Sequence, residues 1–146
     1  MKNPAGAGQY RTETVCVQAG TRKDTTFNAV AVPIYATSTF AFEAPGKTKG
    51  YDYSRTANPT RAALEECLAA LEGGAGATAT ATGMAAETSV MGLFPSGSHV
   101  IAGHDIYGGT YRLFASILAA RGLAFSFVDM SDPRNVRAAA AAPPAA

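Results

Sequence analysis

The sequence predicts an α/β protein: an N-terminal arm followed by a partial parallel or mixed sheet with helices on both faces. Two observations carry that expectation. After Asn58 the apolar pattern switches repeatedly between a helical period and short β-type runs. Helical stretches of about 10–15 residues separate those runs, which is the spacing of crossover units rather than hairpins. Before Asn58 the apolar residues are scattered among Gly, Pro and Thr.

The first segment, residues 1–57, is expected to be an arm that crosses a neighbouring surface. Pro33 and Pro45 argue against a central strand there. Phe27, Ile34, Tyr35, Phe40 and Phe42 supply more apolar surface than a solvated tail carries. Regular structure is expected to begin at Asn58, with residues 58–146 as an incomplete α/β domain. NPTRAALEECLAALEGG has an N-cap Asn58, Pro59 at the first helical position and a stop at Gly73-Gly74. Leu64, Leu68 and Leu71 form its apolar stripe, with Cys67 packed among them. A strand over GATATA (76–81) follows, then a helix from Gly83-Met84 to about Phe94. HVIA (99–102) is the next strand. TYRLFASILAARG is a helix with Leu113, Ile117 and Leu118 inward and Gly122 at its end. LAFSFVD (123–129) is a strand, and SDPRNVRAAAA a last helix that can run on to Pro143-Pro144.

Composition removes several function classes. Twelve Lys and Arg against eleven Asp and Glu leave a net charge of +1, without the basic stripe of a nucleic-acid face. No apolar run approaches the roughly 20 residues of a bilayer span. MKNPAGAGQYRTE lacks an apolar signal region, so a cytoplasmic chain is expected. Cys16 and Cys67 are too few for a disulfide scaffold, and both are expected to be structural. His99 and His104 have no carboxylate pattern around them, so no metal site is expected.

Open sheets of crossover units bind ligands beyond the carboxyl ends of their strands. Three loops are expected there: residues 82–84, 104–109 and 129–132. In ATATGMAAE a strand runs into a helix start, where free N–H groups attract an anion and Gly83 admits close approach. An ordinary tight turn uses the same residues. In YDYSRTANPTR, an extended backbone puts Tyr51, Tyr53 and Arg55 on one face. A guanidinium and a phenol there can hold phosphate, or can simply be solvated. In HDIYGGTYRLF, Tyr107 stands past a strand end, able to stack on a flat ligand or to cap the sheet edge. Arg112 follows inside the helix, free to meet a carboxylate or water.

YDYSRTANPTR, LEGGAGATATATGMAA, DIYGGTYRLF and FVDMSDP, in this order and spacing, resemble the first part of the pyridoxal-phosphate enzymes of cysteine and methionine metabolism. The resemblance is closest to the cystathionine gamma-synthases and covers about residues 12–137. It implies the incomplete large domain of a fold-type I enzyme and pyridoxal phosphate as cofactor. Tyr53 and Arg55 match the pair that reaches the cofactor phosphate of a neighbouring subunit. Gly83 and Met84 match backbone donors to the phosphate of the chain's own site. Tyr107 matches the aromatic that stacks on the pyridine ring and takes part in proton transfer. Arg112 is carried over as a substrate-binding candidate.

The resemblance further implies amino-acid substrates, a homodimer or homotetramer assembled through the arm, and no nucleic-acid or membrane partner. The activity implied is gamma-replacement on an O-acylhomoserine by a thiol such as cysteine. Sulfhydrylases and lyases share most of these motifs. Departures are plain as well. Lys2, Lys23, Lys47 and Lys49 all precede the first predicted helix, and none matches the family's Schiff-base lysine. The acid for the ring nitrogen is missing too, since Asp129 matches FVD. AAAAAPPAA stands where a further strand and a Ser/Asn/Pro-rich loop belong. These features imply an N-terminal fragment, inactive alone. A non-catalytic remnant that pairs with intact subunits is the alternative, and an unrelated phosphate-binding α/β domain is a third.

Overall fold

The computed structural model describes residues 10–21, 24 and 26–142. The expected stop of the last helix at Pro143-Pro144, with Lys2 and Lys23, lies outside the described residues. The chain divides into two compact units, residues 1–79 and 80–146.

The first unit holds α1 (Thr12–Gln18) and α2 (Pro59–Glu72), which pack on each other. α1 corrects the expectation that regular structure begins at Asn58. No side chain caps it, and it presents no buried residue. Its sequence therefore lacks both a capping signal and an apolar stripe, and its place comes from α2. Gly20 ends the segment at φ +76°, where a Cβ would collide with the Ala63 carbonyl. Only glycine permits that approach.

α2 forms as its sequence specifies. The Asn58 side chain accepts from Thr60 N–H at 2.9 Å, and Gly73 closes the helix at φ 67°. The buried residue on α2 is Ala63, whereas Leu64, Leu68 and Leu71 are 51%, 41% and 37% exposed. The leucine stripe is real in spacing but is not covered within the described residues. Cys67 is half-buried, and Cys16, expected to be structural, is exposed.

Between α1 and α2 the described residues form local backbone pairings without a sheet. Residues 37–40 lie antiparallel to 52–54, through Phe40 N–H to Asp52 O and Ser54 N–H to Ser38 O, each 2.9 Å. The pairing stops at isolated bridges, including Thr39 with Tyr53.

The second unit runs α3 (Gly83–Met91), β1 (His99–Gly103), α4 (Gly108–Arg112), β2 (Ala124–Val128) and α5 (Pro133–Ala141). β1 and β2 pair in parallel, His99 opposite Ala124 through Gly103 opposite Val128. The sheet is thus parallel rather than mixed. The strand expected over 76–81 does not form a ladder, since among the described residues only β1 and β2 pair in a sheet. Its Ala and Thr side chains suit a strand, but a strand exists only against a partner.

Alternation along the strands puts Val100, Ala102, Phe125 and Phe127 on one face. Leu113, Phe114 and Leu118 cover it, with Met84 and Met91 of α3 packed alongside. Phe114 stacks on Phe125 with centroids 4.8 Å apart. On the other face His99 Nε2 and Ser126 Oγ share a 2.9 Å hydrogen bond.

α3 stops at Met91 rather than near Phe94, because Gly92 ends it and Leu93 and Phe94 close in tighter turns onto Val90 and Met91 carbonyls. α4 begins two residues earlier than expected and continues as a π segment, Leu113–Leu118, then a 3₁₀ turn, Ala119–Arg121. The π stretch explains why Ile117, expected inward, is 48% exposed. In an α-helix Ile117 would lie between Leu113 and Leu118. A π turn advances only roughly 80° per residue, which gathers Leu113, Phe114 and Leu118 and swings Ile117 to the edge. Gly122 ends the helix at φ 88°, as expected. No described helix is long and apolar enough to cross a membrane.

Candidate functional site

In the second unit, three loops gather at one end of the sheet. β1 and β2 run parallel, so the segments after Gly103 and Val128 leave the same edge. His104 N–H donates to Val128 O at 2.9 Å and ties them together. A Cβ on Gly103 would meet Asp105 Oδ1 at 3.0 Å and Met130 Sδ at 3.7 Å. Asp129 accepts from Ser131 N–H and Oγ, at 2.9 and 2.6 Å. Those bonds, with the nearby His104, hold its carboxyl below the usual carboxylate range.

The start of α3 supplies the third loop. Thr82 caps it, its side chain accepting from Ala85 N–H at 3.0 Å. Ala86 N–H donates to Thr82 O at 3.1 Å. Gly83 and Met84, the first two helical residues, have no intrahelical acceptor for their N–H groups. A Cβ on Gly83 would meet nothing within 4 Å, so the space beside these donors is open. The positive end of the helix dipole lies there.

Tyr107 approaches the same place. It precedes α4 at φ −53° and ψ 134°, and the residue is 71% exposed. The position a Gly109 Cβ would take lies 2.5 Å from Tyr107 Cε1 and 3.1 Å from Met84 Sδ. The ring therefore lies over the Gly109 backbone beside the Met84 side chain. Gly109 is needed for that arrangement, since any side chain would displace the ring. An anion cradle and an accessible aromatic face together fit a flat ligand that carries a phosphate.

The Thr110 hydroxyl donates to the Glu87 carboxylate, 2.8 Å from Oε2 and 3.0 Å from Oε1. Sequence reasoning missed this link between α3 and α4: Glu87 ends ATATGMAAE and Thr110 stands inside DIYGGTYRLF, but nothing in either stretch says that the two side chains meet. Arg112 is exposed and, among the described residues, has no ion-pair partner.

Tyr53 and Arg55 belong to the first unit. They do not continue an extended stretch: the chain turns at 54–56, with Thr56 and Ala57 N–H both donating to Tyr53 O at 3.0 Å. Tyr51 packs on Phe40, with ring centroids 5.6 Å apart. Arg55 Cζ instead lies 5.0 Å from the Tyr53 ring centroid, a cation–π contact. Arg61 of α2 fixes the turn by donating to Ser54 O at 3.1 Å and to Thr56 O at 2.5 Å. Asn58 adds bonds to Ser54 Oγ and Tyr35 O. A cavity of about 360 Å³ opens here, lined by Arg55, Asn58, Arg61 and Glu65 among others. Arg61 is paired with Glu65 at 3.5 Å, whereas Arg55 has no ion pair among the described residues.

Residues 13–145 match the family model described as Cys/Met metabolism PLP-dependent enzyme. The chain is 50% identical over 130 residues to a probable cystathionine gamma-synthase of Herpetosiphon aurantiacus, covering 89% of this chain and 41% of that protein. It is 46% identical over 131 residues to a cystathionine beta-lyase of Coxiella burnetii, covering 89% and 34%. Among solved structures, the cystathionine gamma synthase of Xanthomonas oryzae pv. oryzae in complex with cystathionine superposes with a TM-score of 0.83 at 40% identity, covering 92% of this chain and 35% of that one. The chain thus spans well under half the length of these relatives.

Proposed function

The chain belongs to the Cys/Met metabolism PLP-dependent enzymes, and from that premise we propose that it carries the phosphate cradle and stacking ring of a cystathionine gamma-synthase-type enzyme. The observation that carries the reading is the meeting of Met84 and Tyr107 over Gly109, beside the open N–H groups of α3. When bound, pyridoxal phosphate supplies an electron sink. Gly83 and Met84 hold its phosphate by backbone donation. The Tyr107 ring covers the flat face of the bound group, and its exposed hydroxyl can hold or release a proton at Oη. Tyr53 and Arg55, held as one stacked pair, present a phenol and a guanidinium without an ion pair among the described residues, suited to a phosphate of a second subunit. Arg112, exposed beyond the Tyr107 loop, is available to a substrate carboxylate.

The reaction proposed for the whole enzyme is gamma-replacement. The acyloxy group leaves Cγ of an O-acylhomoserine, and a thiol sulfur, cysteine for instance, takes its place. Sulfhydrylase and lyase chemistry on the same cradle are the neighbouring readings, in line with the similarity to a beta-lyase. The anchoring lysine and the acid at the ring nitrogen come from outside residues 1–146, either from further sequence or from a complementing subunit. The setting proposed is cytoplasmic.

Titration of the purified chain with pyridoxal phosphate, followed by cofactor absorbance and by tyrosine fluorescence, tests the site. The expected result is at least tenfold tighter binding than pyridoxal, with Gly83→Val and Tyr107→Ala each removing about tenfold. Equal affinity for the two compounds overturns the reading. Borohydride reduction adds a second arm: no adduct is expected, and an adduct at one defined lysine overturns the placing of the anchoring lysine outside residues 1–146 and supports catalysis by the chain itself.

The exposed arm favours a second reading, a chain that pairs with another subunit. Residues 1–57 are proposed to be that arm. Phe27, Val30 and Ile34 are 87%, 92% and 84% exposed, more apolar surface than single scattered residues present. Sedimentation is expected to show an assembly larger than 14.9 kDa, and Phe27→Ser with Ile34→Ser to return it to the monomer. A wild-type monomer at high micromolar concentration rules the pairing out.

A further inference from the structure

We propose that Glu87 is a positioning residue for the cofactor site, locking the phosphate donors of α3 to the stacking ring at the start of α4. The proposal rests on the functional reading above and names a residue that this reading does not use. Thr110 is the buried polar residue among those described. A buried hydroxyl needs a partner, and Glu87 gives it both carboxylate oxygens, at 2.8 and 3.0 Å.

Position gives the bond its consequence. Glu87 lies one helical turn beyond Gly83, on the same side of α3. Thr110 lies one turn beyond Tyr107, whose carbonyl accepts from Tyr111 N–H at 3.0 Å. Each partner is therefore rigidly connected to one half of the site. α3 also packs Met84 and Met91 against the apolar cluster that includes Leu113 and Phe114. Such contacts are non-directional and tolerate sliding, whereas a charge-assisted hydrogen bond sets distance and register. Without it, α3 can shift against α4 while the cluster stays buried, and the Met84–Tyr107 juxtaposition over Gly109 is lost.

The test reads that juxtaposition directly. With the Met84 methyl carbon-13 labelled, Tyr107 is expected to displace the Met84 resonance by its ring current, and Tyr107→Leu marks the undisplaced position. Glu87→Met keeps length and helix propensity but removes the acceptor, and Thr110→Val removes the donor. Both are expected to lose more than half of the displacement and to weaken pyridoxal phosphate five- to tenfold, with inorganic phosphate changed less than twofold. Glu87→Gln, whose amide oxygen still accepts, is expected to keep both properties. A folded Glu87→Met chain with the Met84 displacement intact overturns the proposal, even if its melting point has dropped. A wild-type chain that binds pyridoxal phosphate no better than pyridoxal defeats the functional reading instead, and the Met84 displacement then decides the positioning of α3 on its own.

Discussion

Single residues decide whether the site can exist. Gly109 is the clearest case, because a Cβ there would stand 2.5 Å from Tyr107 Cε1. The Tyr107 ring is exposed and can swing away, so the expected damage is to binding rather than to folding. Gly109→Ala is expected to weaken pyridoxal phosphate about tenfold, or about 1.4 kcal/mol, while the melting temperature moves by no more than a few degrees. Calorimetric titration beside thermal denaturation checks both halves of that statement. Asn58, Gly73 and Gly122 were legible in the sequence because capping is local chemistry: a side-chain oxygen or a left-handed φ acts within one turn. The bond between Glu87 and Thr110 was not legible, because it joins residues 23 apart in two separate motifs and neither motif records the other's position in space. Arg61 was visible as the last residue of YDYSRTANPTR, yet its hold on Ser54 O and Thr56 O required the turn to be seen.

At the level of elements, local signals and tertiary contacts divide the outcome. α2, α5 and both strands lie within a few residues of where capping and periodicity placed them. α1 and the π stretch of α4 did not follow from pattern. α1 has no cap or stripe of its own, and the π stretch arises where Leu113, Phe114 and Leu118 converge on one sheet face. The same contrast sets an energetic expectation. Phe114 is 7% exposed and stacks on Phe125, so Phe114→Ala should cost about 3 kcal/mol. Leu68, in the predicted stripe, is 41% exposed, and Leu68→Ala should cost less than about 1 kcal/mol in the isolated chain. Urea unfolding of the two variants distinguishes them; equal losses would mean that the α2 stripe is covered after all.

The molecule as a whole is two small units with a modest interior, and no described side chain is fully buried. Large apolar side chains are left exposed in both units, among them Phe27, Val30 and Ile34 in the first and Leu93 in the second, and self-association in solution is the prediction that follows. The motifs themselves, their order and the helix boundaries are properties of the sequence alone, since capping, turn chemistry and residue order act over a few positions and need no partner. Tertiary structure alone decided which extended stretch became a strand, which face of α4 turned inward, and that Met84 and Tyr107 meet over a bare backbone. Those outcomes depend on what lies opposite each residue in space, and a one-dimensional pattern holds no record of that.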